Sequence, residues 1–170
     1  MKSNILKKPG FTLVEVLLYL ALLSIVIGVV ASFVTVTLNF KARTYAISEV
    51  EQCGNQIILM ISRSIRNGTA INSPSIGTSS SSLSINTTTP VNNPTQFILS
   101  GTTLNMQEGA TPAFALTPAT IRVTSLTFTN VARPGTNGTI RIQMTLSFSN
   151  PNNRQESNYS QTFYGTADIR

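Results

Sequence analysis

One carboxylate, Glu15, lies inside the most apolar stretch of the chain, and its position calls for a chemical explanation. An ionised side chain at membrane depth costs on the order of 2.5–3.5 kcal/mol on insertion scales. A group of opposite charge offsets much of that cost. A carboxylate close to the lipid headgroups can instead reach water along its own stem. A membrane role for Glu15 therefore requires a cationic partner or a place at the membrane edge.

The other residues that could carry chemistry are few and scattered. The chain has no histidine to act as a general base. The remaining acids form no paired motif in the sequence: Glu49, Glu51, Glu108, Glu156 and Asp168. Neither a phosphate-binding glycine loop nor a nucleophile elbow is present. We therefore expect no enzyme and no cofactor, while a calcium site that combines Asp168 with backbone oxygens stays open.

The chain has a single cysteine, Cys53. One cysteine cannot form an internal disulfide, and without histidine or further cysteines it cannot form a structural zinc site. We expect Cys53 to pack as a small apolar residue on a helix, because free cysteines are commonly buried and inert. A redox or intermolecular role is the lesser alternative.

The net charge of +6 gives little support for nucleic-acid binding. Three lysines stand within the first ten residues, and the arginines further on are scattered singly rather than in a stripe. Non-specific contact with DNA stays open as the lesser alternative, because single surface arginines are commonly just solvated.

The segment Val16–Leu38 contains no charged residue, and about 20 apolar residues suffice to span a bilayer as a helix. Basic residues are more numerous before the segment than after it. Those on the N-terminal side are Lys2, Lys7 and Lys8, and those on the other side are Lys41 and Arg43. The positive-inside rule then predicts a cytoplasmic N-terminus and an extracytoplasmic C-terminal domain.

Three fates of this segment are compatible with the residues. The chain could keep Met1 and remain a plain anchor. It could be cut after Ala31 as a secretory signal, although the apolar run is longer than a usual signal peptide. It could also be cut between Gly10 and Phe11, with the apolar run retained.

The stretch Lys7-Lys8-Pro9-Gly10-Phe11-Thr12-Leu13-Val14-Glu15 resembles the prepilin signal of type IV pilins and type II secretion pseudopilins. In that family a basic leader ends in glycine, the next residue is commonly phenylalanine, and a glutamate follows four residues later. The resemblance implies that residues 1–10 are a leader with Lys7 and Lys8 as its basic residues. It also implies cleavage between Gly10 and Phe11 by a prepilin peptidase, and N-methylation of Phe11.

Cleavage at Gly10 supplies the cation that Glu15 requires. The new amine of Phe11 would lie about one helical turn, or roughly 6 Å along the axis, from Glu15. The carboxylate could pair with its own terminus or with that of a neighbouring subunit. The partners implied are the prepilin peptidase, other pilin or pseudopilin subunits, an inner-membrane assembly platform and membrane lipid.

Beyond the leader we expect a transmembrane and assembly helix over residues 11–40, an amphipathic continuation over 41–68 and a β-rich globular domain over 69–170. Asn67-Gly68 is a stop signal for the helix. The continuation shows apolar or small residues at helical spacing. These are Ala46, Val50, Cys53, Ile57, Ile61 and Ile65.

The last hundred residues indicate β-structure. We interpret residues 72–93 as an irregular surface loop that holds a short strand, 83–86. The predicted strands are 96–99 and 103–107 as a hairpin, 121–130 with a bulge near Thr124, 139–149, and 160–167. Alternation in the strand from residue 139 indicates a sheet with one buried and one wet face. The fold class is thus α+β, a long N-terminal helix packed on an antiparallel sheet, which is also the pilin layout.

Within the family the C-terminal half looks most like J-type minor pseudopilins and related minor pilins. Ser32 stands where many major pilins have proline, and one cysteine forbids their C-terminal disulfide. We expect a minor subunit of a type IV pilus, type II secretion or competence pseudopilus, which primes or caps the filament. It would reside in the inner membrane and then in a filament at the cell surface or in the periplasm. The alternative is a membrane-anchored extracytoplasmic binding module outside any filament.

Overall fold

The computed structural model describes residues 10–151 and 154–170. The chain divides into two compact units, Met1–Lys41 and Ala42–Arg170. The leader lysines Lys7 and Lys8, for which a role was predicted, lie outside the described residues.

Helix α1 spans Leu13–Arg66 and has 54 residues. Its interior contains no proline, and its apolar first part is rich in leucine, which has good helix propensity. The Asn67 amide closes the last turn by donating to the Arg63 carbonyl at 3.1 Å. The predicted stop at Asn67-Gly68 is therefore confirmed. By length and composition this helix is apolar enough to cross a membrane.

In the second unit α1 buries a stripe of small and apolar residues. The buried residues are Ala46, Val50, Gly54, Ile57, Ile61, Ser62 and Ile65. Five of the six predicted positions are confirmed, whereas Cys53 is only half-buried. Gly54 takes the buried place next to it, because the Phe163 ring lies where a side chain at Gly54 would stand.

In the described part of the chain, nine strands follow the helix. Their bounds are β1 Gly68–Ser73, β2 Ser79–Ser80, β3 Leu83–Thr87, β4 Thr95–Ser100, β5 Thr103–Glu108, β6 Phe114–Ala115, β7 Ile121–Asn130, β8 Thr139–Phe148 and β9 Ser160–Asp168. Single 3-10 turns occur at Pro90–Asn92 and Gln155–Ser157.

The strands form two antiparallel sheets, so the α+β layout is confirmed with two sheets in place of the single one predicted. The five-stranded sheet has the order β1-β3-β4-β5-β6, and the four-stranded sheet has the order β2-β7-β8-β9. Helix residue Ile61, Phe97 of the first sheet and Leu146 of the second are all fully buried in one apolar core. That core contains the side chains on which α1 packs in this unit.

The prediction of an irregular loop over residues 72–93 that holds a short strand is confirmed over most of its length, but the end of β1 and the short strand β2 also lie within it. Strand β1 pairs with β3 through Ile71 and Ile85, and β3 is longer at its end than predicted. Leu83 and Ile85 are fully buried. Only alternate residues of a half-buried strand have to be apolar, so a serine- and threonine-rich stretch can still form one.

The other strand predictions are confirmed with small shifts of their ends. The hairpin β4–β5 pairs Ser100 with Thr103 across its turn. The β7–β8 register shifts between Val123 and Ser125, where the bulge was expected. Strand β8 ends at Phe148 rather than Ser149.

Candidate functional site

The predicted cleavage site lies immediately before the helix and is accessible. Gly10 is exposed, Phe11 is 75% exposed, and α1 begins at Leu13. A Cβ atom placed on Gly10 would meet no heavy atom within 4 Å. The fold therefore makes no steric demand for glycine at residue 10.

Thr12 caps the N-terminus of α1. Its hydroxyl oxygen accepts a hydrogen bond from the Glu15 amide at 3.3 Å, and its carbonyl accepts one from the Val16 amide at 3.2 Å. The Thr-x-x-Glu spacing is that of a capping box. A carboxylate in the first turn also interacts favourably with the helix dipole, by about 0.3–1 kcal/mol at exposed sites. The Thr12 cap and the helix dipole are thus enough to make Glu15 compatible with the start of α1.

The Glu15 carboxylate has a neutral donor within its own helix. The Tyr19 hydroxyl donates a hydrogen bond to Glu15 Oε1 at 3.0 Å. Tyr19 follows Glu15 by four residues, so the two side chains are neighbours on one face of the helix. From the residues that the structure describes, the other oxygen, Oε2, accepts no hydrogen bond. That oxygen can accept a donor from another group.

The Phe11 ring packs edge-on against the Tyr19 ring. The ring centroids are 6.5 Å apart and the planes are inclined by 74°, a geometry that aromatic pairs favour. The structure therefore brings together the predicted residues Phe11 and Glu15 through Tyr19, which sequence reasoning missed. The four-residue spacing between Glu15 and Tyr19 is the signal that could have revealed it.

Among the acids outside this region, Glu49 makes a contact of its own. The Glu49 carboxylate accepts a hydrogen bond from the Thr120 hydroxyl at 3.2 Å. Glu49 and Cys53 line a cleft of about 190 Å³ together with Leu116 and Pro118. Among the residues that the structure describes, no group of three His, Cys, Asp or Glu side chains is arranged to hold a metal ion.

Two groups in the second unit have perturbed pKa values. Burial raises the pKa of the Cys53 thiol, and the nearby negative charge of Glu49 raises it further. Burial also raises the pKa of Tyr159, and the negative charge of Glu51 raises it further. Both groups are therefore neutral at physiological pH, and neither lies near Glu15 in the sequence.

Residues 6–31 match the family model of the prokaryotic N-terminal methylation motif, which is the signal of type IV pilins. The predicted resemblance to prepilins is thereby confirmed, and the chain carries the N-terminus of a type IV pilin-like or pseudopilin-like precursor. Proteins with this motif are structural rather than catalytic. No curated protein and no solved structure matches the chain. The likeness to J-type subunits stays a prediction.

Proposed function

We propose that the chain is a minor pilin or pseudopilin. A prepilin peptidase cuts it between Gly10 and Phe11, Phe11 is N-methylated, and the apolar helix then packs into a filament. One observation carries this proposal: residues 6–31 match the methylation motif, and the Gly10–Phe11 peptide, where we propose cleavage, is exposed and lies shortly before the 54-residue helix that begins at Leu13. The leader is residues 1–10, with Lys7 and Lys8 as its basic residues.

The apolar segment stores the subunit in the inner membrane until assembly. Residues 11–40 are the transmembrane and assembly helix, with the N-terminus in the cytoplasm and the C-terminal domain outside. Lipid solvates the segment first, and helices of other subunits replace lipid as the filament forms. Residues 41–68 continue the helix, and residues 69–170 form the globular domain that reaches the periplasm or the cell surface.

Pairing between Glu15 and a Phe11 amine makes assembly selective. Two unit charges about 4 Å apart attract by about 4 kcal/mol at an effective dielectric constant of about 20. An ionised side chain in the membrane costs about 2.5–3.5 kcal/mol on insertion scales. The attraction is thus large enough to offset the burial of Glu15, and a subunit that lacks the charge loses that attraction.

The proposed partners follow from the steps of processing, storage in the membrane and assembly. They are the prepilin peptidase, other pilin or pseudopilin subunits, an inner-membrane assembly platform and lipid. The machine is a type IV pilus, a type II secretion system or a competence pseudopilus, and contact with DNA belongs to the last of these. As a minor subunit, similar to the J-type, the protein primes or caps the filament.

Substitution of Gly10 tests the proposal, because the fold leaves space there. Expressed with a prepilin peptidase, Gly10→Leu should remain uncleaved while the wild-type chain is shortened to Phe11. Gly28→Ala is the matched control, since a Cβ at Gly28 also meets no atom within 4 Å. If Gly10→Leu is processed like the control, or if the wild-type chain is not processed at all, the proposal is wrong.

A further inference from the structure

The hydroxyl groups of the apolar segment differ in what they bond. Ser24, Thr35 and Thr37 each donate to a backbone carbonyl of their own helix, at 2.8–2.9 Å. Such bonds satisfy a hydroxyl locally in a nonpolar environment. Tyr19 differs from them, because its hydroxyl donates to the carboxylate of Glu15. Among these hydroxyl groups, that of Tyr19 therefore bonds to a side chain rather than to the backbone.

We propose that Tyr19 is a positioning residue for subunit assembly, which holds Oε1 of Glu15 and leaves Oε2 for the Phe11 amine of an incoming subunit. This inference rests on the proposed function. It adds a residue that the methylation motif and the charge-pairing argument do not require.

A phenol suits this task because it is a neutral donor. A hydrogen bond to an ionised acceptor is charge-assisted and stronger than one between neutral groups. It lowers the cost of keeping Glu15 in lipid before assembly. It does not cancel the negative charge, as a lysine or arginine at residue 19 would. Glu15 therefore remains able to attract an amine.

The tyrosine ring also contacts a second residue of the site. It packs edge-on against Phe11 of the same chain at 6.5 Å, while its hydroxyl donates to Glu15, the carboxylate proposed to receive the amine of a neighbouring subunit. Phe11, Glu15 and Tyr19 succeed one another at four-residue spacing, and Glu15 and Tyr19 share a face of α1, which begins two residues after Phe11. We expect the hydrogen bond from Tyr19 to fix the Glu15 rotamer. Less conformational entropy is then lost when subunits pair.

Two substitutions separate the donor from the ring. Tyr19→Phe keeps the ring and removes only the hydroxyl. Tyr19→Gln removes the ring and restores a donor that can reach a carboxylate four residues away. Tyr45→Phe is the matched control, because Tyr45 is an exposed tyrosine of the second unit that packs edge-on against Phe148.

The first readout is incorporation of the full-length chain into filaments, in competition with a tagged wild-type copy. Side-chain hydrogen bonds within membranes contribute modestly, so Tyr19→Phe should enter filaments about 3-fold and at most about 20-fold less often than wild type. Tyr19→Gln should recover most of that loss, and Tyr45→Phe should match wild type. Equal incorporation of Tyr19→Phe and wild type would overturn the inference. So would a Tyr19→Gln variant as poor as or poorer than Tyr19→Phe, since packing would then be the role.

The second readout does not depend on a filament. The uncleaved full-length chain, labelled with ¹³C-glutamate and placed in lipid bilayers, should show a shift of the Glu15 carboxyl resonance in Tyr19→Phe and none in Tyr45→Phe. An unchanged resonance in Tyr19→Phe would overturn the Tyr19–Glu15 bond itself. If the resonance shifts but the wild-type chain never enters filaments, the bond stands, and both the proposed function and the assembly role of Tyr19 are wrong.

Discussion

Replacement of Glu15 by leucine should improve membrane insertion and impair assembly, two effects of opposite sign. The substitution removes a charge that costs about 2.5–3.5 kcal/mol in the membrane and adds an apolar side chain. An account in which Glu15 merely lies near the headgroups predicts a well-inserted subunit that behaves normally. An account in which Glu15 pairs with Phe11 predicts a well-inserted subunit that is excluded from filaments.

The size of the assembly defect follows from the same charges. Loss of an attraction of about 4 kcal/mol weakens association by a factor on the order of 1,000. Glu15→Gln should lose nearly as much. Its amide oxygen can still accept from the Tyr19 hydroxyl, and its backbone amide can still donate to Thr12, but it has no charge. The glutamine variant therefore separates the charge from the local hydrogen bonds.

A competition assay measures this defect directly. Each variant is expressed beside a tagged wild-type copy, and the ratio of the two is compared between membranes and sheared filaments. Val14→Leu is the matched control, because Val14 is 72% exposed and its replacement changes no charge. The reasoning is refuted if Glu15→Leu reaches filaments at the ratio of the control.

Three further predictions concern the second unit. Ile61→Ala should lower the free energy of unfolding by about 2–5 kcal/mol, because Ile61 is fully buried, while Leu59→Ala at a site that is 68% exposed should change it by about 0.5 kcal/mol or less. Thermal unfolding of the full chain in detergent measures both, and equal losses would contradict the packing described. Because burial and Glu49 raise the pKa of Cys53, its thiol should react slowly with Ellman's reagent at neutral pH. Glu49→Gln should speed the reaction with Ellman's reagent, and Glu51→Gln should not. The raised pKa of Cys53 also predicts that the free energy of unfolding falls as the pH rises above the ordinary thiol value of 9.0.

Features with a local signal could be predicted from the sequence. The methylation motif, the apolar run and the end of α1 each depend on residues that are close to one another in the sequence. The hairpin β4–β5 turns at Gly101, whose φ of 61° lies in the left-handed region that favours glycine. A Ser-Gly pair between two alternating segments was therefore enough to predict it.

Features set by distant partners could not be predicted in the same way. Ser79 of β2 pairs with Thr129 of β7, and no pattern around either residue identifies the other. The division of the strands into two sheets depends on such pairings. Gly54 was missed because it has no side chain to contribute to an apolar pattern, although the Phe163 ring occupies the space beside it.

The candidate site was predicted in part for a related reason. Glu15 was predicted as a site residue because it is charged, whereas Tyr19 is neutral and was assigned to the apolar segment. Its hydroxyl becomes significant only when the helix places it beside the carboxylate at 3.0 Å. A four-residue spacing between an acid and a neutral donor in an apolar helix is a pattern worth seeking in other sequences.

Intact mass with N-terminal fragmentation of the wild-type protein, extracted from membranes that contain its own prepilin peptidase, tests the central claim most directly. The account predicts a chain that begins at Phe11 and carries one added methyl group on its terminal nitrogen. A chain that begins at Met1 would indicate a plain anchor, and one that begins at Ser32 would indicate a secreted domain. Either result would contradict the account and leave Glu15 without its cationic partner.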